Sequence, residues 1–322
     1  MQRVLKENSI HDELEVAKRC KNYINNEISD ERIAYNALIK INELMPEGLP
    51  TPKEDEATKL FKEQLLYNLY SDLGQKFVTH SLNMLDMGQN IGASNEELSA
   101  YLFHDVGKIA VDPKVLYSKE RFVDMPPAIR DMHYEEIDGH APSGENVIKV
   151  YCGYLNERLG TNFQIEDLFS EVEIAIIRGH HLENYSEVQN EEFKKYLKNI
   201  EKVYPQELNR AIEIDVLESI TSPMREYNEK DYKKVENIRN IMKTTNTEIS
   251  TTIGQQLPNV LDVDAMCAAI TTGTEVKGYK PNKLGEVLSD ESISKVSLEE
   301  MKERREEMET KIQIAVANKF EF

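Results

Sequence analysis

Along most of the chain, apolar residues recur at spacings of three and four, which is the period of an amphipathic helix, and strand-like alternation is scarce. Residues that favour helices (Glu, Lys, Leu, Ile, Ala and Met) dominate, and tryptophan is absent. We therefore predict an all-α fold. A breaker-rich linker at residues 45–52 and a Thr/Asn/Ser-rich break at residues 244–252 suggest three parts. These are an N-terminal helical segment (residues 1–65), a central domain (residues 66–235) and a C-terminal helical extension (residues 236–322).

The strong helical pattern between residues 57 and 91 carries a histidine on its apolar face. His80 shares this face with Met84 and Met87 at helical spacing, so that its side chain points inward. Taken alone, such a histidine is more often a core residue that hydrogen-bonds to backbone than a ligand.

The next predicted helix leads directly into a His-Asp dipeptide. Ser94-Asn-Glu-Glu97 is a capping box that begins this helix, and we expect Gly107 to end it. Asp105 continues the apolar stripe of the helix, and the adjacent His104 allows an imidazole and a carboxylate to reach one ion. A carboxylate on a buried stripe needs a cation or a hydrogen-bond partner.

Four further residues have the same character. His140 stands directly before a predicted helix, and the helix predicted over residues 166–181 ends in His180 and His181. For these two alone, one core and one surface histidine is the simpler interpretation. Asp215 lies on the apolar stripe of another predicted helix, where an unpaired carboxylate would be unstable.

His11 and His133 are different, because polar residues surround them, and we predict both at the surface. The other five of the seven histidines lie near helix ends or on apolar faces, together with two aspartates. A shared metal site would satisfy all of these buried groups at once. We therefore predict such a site, formed by His80, His104, Asp105, His140, His180, His181 and Asp215.

The composition restricts the partners. A net charge of −19 and a pI near 4.9 predict an acidic surface that repels nucleic acid polymers, although a small phosphorylated ligand can bind beside metal cations. No apolar run approaches the roughly 20 residues of a membrane helix, and no signal peptide is evident. The three cysteines lack CxxC spacing, which indicates reduced thiols. We therefore expect a cytoplasmic protein without a membrane partner.

The segments around the predicted ligands form an ordered set of motifs. They are Thr79-His80-Ser81, His104-Asp-Val-Gly-Lys-Ile109, His140-Ala-Pro-Ser-Gly144, Gly179-His-His-Leu-Glu183 and Asp215-Val-Leu-Glu-Ser-Ile-Thr-Ser222. In type and order this set resembles the HD phosphohydrolase superfamily, and more closely its HD-GYP branch. The resemblance covers residues 75–230 or so and does not extend to either end of the chain.

The resemblance implies an HD-domain helical bundle with two divalent metal ions, usually iron or manganese. Lys108 would orient a phosphate or the attacking water, and Arg225 is a candidate substrate contact. The implied reaction is hydrolysis of a phosphodiester, typically in cyclic di-GMP or a related cyclic dinucleotide, by a metal-activated water. The implied ligands are Asp105 as the bridge, His80, His104 and Asp215 on one ion, and His140, His180 and His181 on the other.

The chain departs from this family after His181, where the Gly-Tyr-Pro signature is missing. At the position where some members hold a third metal through a glutamate, this chain has Lys76, which favours two ions. Two alternatives stay open. One is an HD-type nucleotidase or pyrophosphohydrolase acting on mononucleotides or alarmones, and the other is a catalytically idle nucleotide-binding sensor. The charged helix predicted over residues 296–316 could pair in a homodimer.

Overall fold

The computed structural model of the chain describes residues 3–24, 30–90, 92–118, 120, 122–182, 185–221, 288 and 290–319. Over these residues the chain forms fourteen α-helices and two short strands, which confirms the all-α prediction. The strands β1 (Arg3–Leu5) and β2 (Tyr185–Val188) pair in parallel. The helices are α1 (Glu13–Ile24), α2 (Glu31–Leu44), α3 (Glu56–Leu73), α4 (Gln75–Asn90), α5 (Asn95–Phe103), α6 (Pro113–Leu116), α7 (Pro127–Asp138), α8 (His140–Leu159), α9 (Ile165–Leu168), α10 (Glu171–Gly179), α11 (Glu191–Val203), α12 (Pro205–Thr221), α13 (Asp290–Lys295) and α14 (Leu298–Lys319).

The main apolar core is continuous from the N-terminal helices to the last one. In α3, Phe61 and Leu65 have no exposed surface, and the same core includes Val16 of α1 and Ile312 of α14. Burying each such side chain contributes about 1.5–3 kcal/mol relative to leaving it in water. The predicted boundary at residue 65 falls within α3, and the one at residue 235 lies outside the described residues.

A smaller second core supports the segment that follows the double histidine. The sequence pattern predicts a polar loop with a short helix over residues 182–202, but the structure has β2 and the 13-residue helix α11 there. Phe193, Leu197 and Ile200 recur at helical spacing and are buried together with Leu5 of β1. The prediction was wrong because the charged residues between these positions hid a narrow apolar stripe.

Local caps place the helix ends differently from the apolar pattern. α5 ends at Phe103 and a 3₁₀ turn spans Val106–Ala110, so that Gly107 does not cap the helix as predicted. The helix predicted over residues 166–181 is divided, because Ser170 begins α10 with a capping box.

One ion pair is fully buried in the core. Lys62 of α3 contacts the carboxylate of Glu173 in α10, and neither side chain is more than 1% exposed. Lys62 Nζ also donates to the carbonyl oxygen of Pro50 at 2.7 Å and lies 4.4 Å from the ring centroid of Phe169. Glu173 in turn accepts a hydrogen bond from the backbone N–H of Ser170 at 2.8 Å. We call Lys62 and Glu173 the buried ion pair.

The C-terminal helix α14 packs on its own chain. Its Ile312 is buried in the main core and its Met301 is also buried, so this face is occupied within the monomer. The predicted homodimer stays a prediction. Within the described ranges, no helix combines the length and the apolar character that crossing a membrane requires.

Candidate metal centre

The fold brings all seven predicted ligands into one site, each from a helix or a helix end. His80 lies in the second turn of α4, His104 is the C-cap of α5, and His140 is the first residue of α8. His180 is the C-cap of α10, and Asp215 lies in the third turn of α12. Residues as far apart in sequence as His80 and Asp215 therefore meet, because five helices end or cross at one place.

Close backbone contact allows the His-Asp segment to approach α8. An added Cβ at Gly107 would lie 1.9 Å from the carbonyl oxygen of His140, which no side chain can accept. Gly107 is therefore needed for this approach and not for a left-handed helix end.

One half of the site consists of His80, His104 and Asp215, whose ligand atoms lie within 4.8 Å of one another. We call it the carboxylate cluster. His80 Nε2 lies 3.0 Å from Asp215 Oδ1 and 3.1 Å from His104 Nε2. An ion at the common centre of these atoms would receive two nitrogen ligands and one oxygen ligand.

The other half consists of His140, His180 and His181, whose ligand nitrogens also lie within 4.8 Å of one another. We call it the histidine cluster. The ring centroids are 5.4 Å apart for His140 and His180, 4.9 Å for His140 and His181, and 4.3 Å for the adjacent pair. Three imidazoles at this distance suit a first-row divalent ion.

Asp105 lies between the two clusters and presents one oxygen to each. Its Oδ1 lies 3.2 Å from His140 Nε2 and 3.8 Å from His180 Nε2. Its Oδ2 lies 3.5 Å from His104 Nε2 and 3.9 Å from His80 Nε2. A carboxylate in this position can bridge two ions.

Backbone carbonyls fix the orientation of three of the imidazoles. The Nδ1 atoms of His104, His140 and His180 lie 2.6–3.0 Å from the carbonyl oxygen three residues earlier in the chain. A carbonyl can only accept, so each Nδ1 carries the proton and each Nε2 points an unprotonated lone pair at the centre. This arrangement of a ligand held through its other ring nitrogen is characteristic of metal-binding histidines.

Several ligand atoms have no hydrogen-bond partner within the described part of the chain. Asp105 Oδ1, His140 Nε2 and His180 Nε2 are fully buried and unpaired. Leaving a buried polar atom unpaired costs about 1–3 kcal/mol, and here acceptors converge on one another. A bound cation would satisfy them together, so the residues present fit a metal ion.

The charge states of His104 and Asp105 also suit a cation. Burial lowers the pKa of His104 to about 3, so that its imidazole is neutral. Burial opposes ionisation of Asp105, but the charge of Lys108 and the facing imidazoles outweigh it and hold the pKa of this carboxyl well below its usual value. Neutral imidazoles and ionised carboxylates are the forms that bind metal.

His80 is held by a residue that the sequence analysis did not single out. Its Nδ1 contacts the carboxylate of Glu218, whose other oxygen accepts from Asn83 Nδ2 at 2.7 Å. Burial opposes protonation of His80, but hydrogen bonds to Asp215 and Glu218 prevail and raise its pKa to about 10. Glu218 lies three residues after Asp215 and Asn83 three after His80, so helical spacing was the signal that could have identified both.

A cavity of about 320 Å³ opens onto the centre and exposes His80, Asp105 and Lys108 at its wall. Lys108 contacts the Oδ2 atom of Asp105 and lies 4.8 Å above the ring of Phe77. Phe122 and Lys76 line other parts of the cavity. A ligand in this cavity would therefore meet the bridging carboxylate, two ammonium groups and aromatic surface.

Not every predicted residue takes part. Arg225 and Glu183 lie outside the described residues. His11 was predicted at the surface but is 7% exposed, since its backbone bonds to α8. His133 was predicted at the surface and is half-buried, with its ring 5.0 Å from that of Phe122.

A scan against models of protein families, a search of curated proteins and a search of solved structures each find no match to this chain. The HD-type assignment therefore stays a prediction from the motifs. The geometry of the site is an observation that does not depend on that assignment.

Proposed function

We propose that the chain is a metal-dependent phosphohydrolase that cleaves a phosphodiester, with a cyclic dinucleotide as the first candidate substrate. The observation that carries the proposal is the position of Asp105, with one oxygen facing each cluster and the cavity alongside. A pair of metal ions bridged by one carboxylate is an arrangement that suits the in-line displacement of a leaving group at phosphorus.

Two divalent ions at such a centre would acidify water and neutralise the charge that develops on a phosphate. The chain's own residues would supply position and charge. Asp105 sets the separation of the two clusters, and Lys108, whose side chain lines the cavity and is 14% exposed, can pair with a phosphate oxygen. Described side chains at the cavity wall include no cysteine, and no covalent nucleophile is needed for attack by water.

Iron or manganese is the proposed metal, because histidine and carboxylate ligands suit both ions and the motifs resemble a family that uses them. A reducing compartment such as the cytoplasm fits this choice. Cys20 and Cys152 are buried and free, which agrees with a chain that holds no disulfide between them.

The lining of the cavity supports a cyclic dinucleotide as the substrate, but the volume of the cavity does not. Phe122 offers an aromatic surface on which a nucleobase could stack, and Lys76 and Lys108 offer cations for phosphate. Its volume of about 320 Å³ lies at the lower end of ordinary ligand pockets, which run from roughly 300 to 1,000 Å³. This size favours a second candidate, a mononucleotide, as substrate of the same centre.

The test begins with metal content and turnover of the purified full chain under reducing conditions. We expect two bound ions and hydrolysis of cyclic di-GMP to its linear product with added Mn²⁺. Asp105→Ala should lower the rate at least about 1,000-fold, because the several kcal/mol that metal ions contribute to the transition state are lost. The exposed Asp131→Ala is the matched control and should keep full activity.

The outcomes separate the candidates. Hydrolysis of mononucleotides alone would replace the first candidate with the second. A chain that binds two ions and a nucleotide without turnover would be a sensor and would contradict the proposal. Equal loss of activity in Asp105→Ala and Asp131→Ala would show that the centre has been placed on the wrong residues.

A further inference from the structure

The N-terminal segment, residues 3–11, lies across two connections next to the histidine cluster: the loop at Gly139 between α7 and α8, which precedes His140, and the loop between α10 and β2, which contains His180 and His181. We infer that this segment positions His140 and His181, and that the ion held by the histidine cluster depends on it while the ion of the carboxylate cluster does not. We call residues 3–11 the N-terminal clamp. The inference rests on the proposed metal centre and assigns a role to a part of the chain that the motifs leave unexplained.

The first contact of the clamp is with the chain just after the double histidine. β1 pairs in parallel with β2, with Arg3 opposite Tyr185 and Leu5 opposite Val188. The backbone N–H of Gln189 also donates to the carbonyl oxygen of Leu5 at 3.0 Å. β2 begins four residues after His181, so this pairing fixes where the chain must go when it leaves the centre.

The second contact is with the loop that precedes His140. The guanidinium of Arg3 lies 2.8 Å from Asp138 Oδ1, and the carboxylate is 6% exposed. Lys6 pairs with Glu135 in the preceding turn of α7. An added Cβ at Gly139 would lie 1.7 Å from the carbonyl oxygen of Ser9, so the clamp backbone is pressed directly against this loop.

The third contact ties the clamp to the first turns of α8. The backbone N–H of His11 donates to Ser143 Oγ at 2.9 Å. Asn146 Nδ2 donates to the carbonyl oxygen of His11 at 2.8 Å. His140 is the first residue of α8, so bonds to Ser143 and Asn146 hold the helix start that presents its imidazole.

Asp138 and Tyr185 join the two loops to each other. Tyr185 OH donates to the backbone carbonyl of Asp138 at 2.7 Å, and the Asp138 side chain binds Arg3. Two strands of three or four residues are not stable alone in water. The strand pairing and the Asp138 contacts therefore depend on each other, and release of Arg3 should loosen both loops.

The carboxylate cluster is supported differently. His80 is fixed by Glu218 and Asn83, and His104 by the carbonyl of Tyr101. These supports come from α4, α5 and α12. Loss of the clamp contacts just described removes none of them, which is why the two ions should respond differently.

The test is a Mn²⁺ titration of the metal-depleted full chain, followed by calorimetry and electron paramagnetic resonance. Wild type should bind two ions, with the spectrum of a coupled pair at saturation. In Arg3→Ala and in Tyr185→Phe, one site should weaken by about 10- to 100-fold, the range seen when residues behind metal ligands are removed. The other site should change by less than about twofold, and a single-ion spectrum should appear at intermediate Mn²⁺.

Controls separate positioning from general damage. Arg3→Lys, which keeps a cation beside Asp138, should restore most of the affinity, and Arg130→Ala, at a half-buried arginine that pairs with the exposed Asp131, should leave both sites unchanged. In a His181→Ala background the clamp variant should cause no further loss, because the site it supports is already gone. Circular dichroism and thermal unfolding would show that Tyr185→Phe, which lacks one hydroxyl, is folded.

Two results would overturn the inference. If both sites of the variants keep wild-type affinity, or if both weaken equally, the clamp does not position the histidine cluster, although the metal centre would still stand. If wild type itself binds fewer than two ions, the centre fails together with the inference. The two failures are distinguishable because the second is seen without any variant.

Discussion

Two of the places where the structure buries charged side chains are the buried ion pair and the candidate metal centre, and they differ in whether their polar atoms have partners within the protein. Lys62 and Glu173 are bonded to each other, to the Pro50 carbonyl and to the N–H of Ser170. In the metal centre, Asp105 Oδ1 and the Nε2 atoms of two histidines are buried without partners in the described chain.

This difference shows what identifies a candidate site. Burial and charge are the same in both places, so neither one indicates function. Buried donors and acceptors that bond to one another require no further ligand. Buried acceptors that converge on one point require a cation. We therefore expect the loss of a partner in the buried ion pair to lower the free energy of unfolding. At the candidate metal centre, we expect bound metal to raise it.

The largest expected effect is on the buried ion pair. Lys62→Met should lower the free energy of unfolding by about 3–5 kcal/mol, because it leaves the carboxylate of Glu173 in the core without its counter-ion. Chemical denaturation followed by circular dichroism measures this change. Lys62→Met/Glu173→Gln should be more stable than the single variant, since no bare charge remains. A double variant that is less stable than Lys62→Met would show that the pair is not a closed unit.

Metal should stabilise the other region by a smaller amount. At free Mn²⁺ about 100 times the dissociation constant, one site adds about 2.7 kcal/mol to the free energy of unfolding. Differential scanning calorimetry with and without Mn²⁺ measures the gain, which chelation should reverse. Lys62→Met should show the same gain as wild type, because no hydrogen bond or ion pair among the described residues joins the two regions. Absence of any gain in wild type would contradict a preformed centre.

The third effect concerns the support of His80. Glu218→Gln should lower metal affinity by about 10- to 100-fold, or about 1.4–2.7 kcal/mol, since it weakens the contact that orients the imidazole. Equilibrium dialysis against Mn²⁺ would measure it. The exposed Glu157→Gln is the matched control. Equal affinities in the two variants would show that His80 needs no such support.

That the seven residues lie close together could be predicted from the sequence, because their positions depend on short-range patterns. His80 and Asp215 lie on apolar stripes, and the remaining ligands stand at helix ends, so that periodicity and caps locate them. Glu218 was missed because a glutamate in a helix is usually a solvated charge. Its spacing from Asp215 carries the signal, but its role depends on the packing of α12 against α4.

The clamp could not be predicted, because its contacts join residues far apart in the chain. His11 bonds to Ser143 across 132 positions, and its polar neighbours gave the opposite prediction. Likewise Arg3 meets Asp138 only when β1 pairs with β2. Such contacts depend on tertiary packing, which the local propensity of a sequence segment does not reveal.

The smallest effect is expected at His133, the histidine that the sequence analysis excluded. Its ring packs against Phe122, and its nitrogens lie outside both clusters. His133→Ala should change the affinity for Mn²⁺ by less than about twofold, whereas His181→Ala should abolish one site, because only the second removes a ligand. The pair is matched in chemistry and half-burial, so a difference between them reports ligation alone. Equal losses would show that burial of a histidine, and not convergence on Asp105, determines metal binding in this chain.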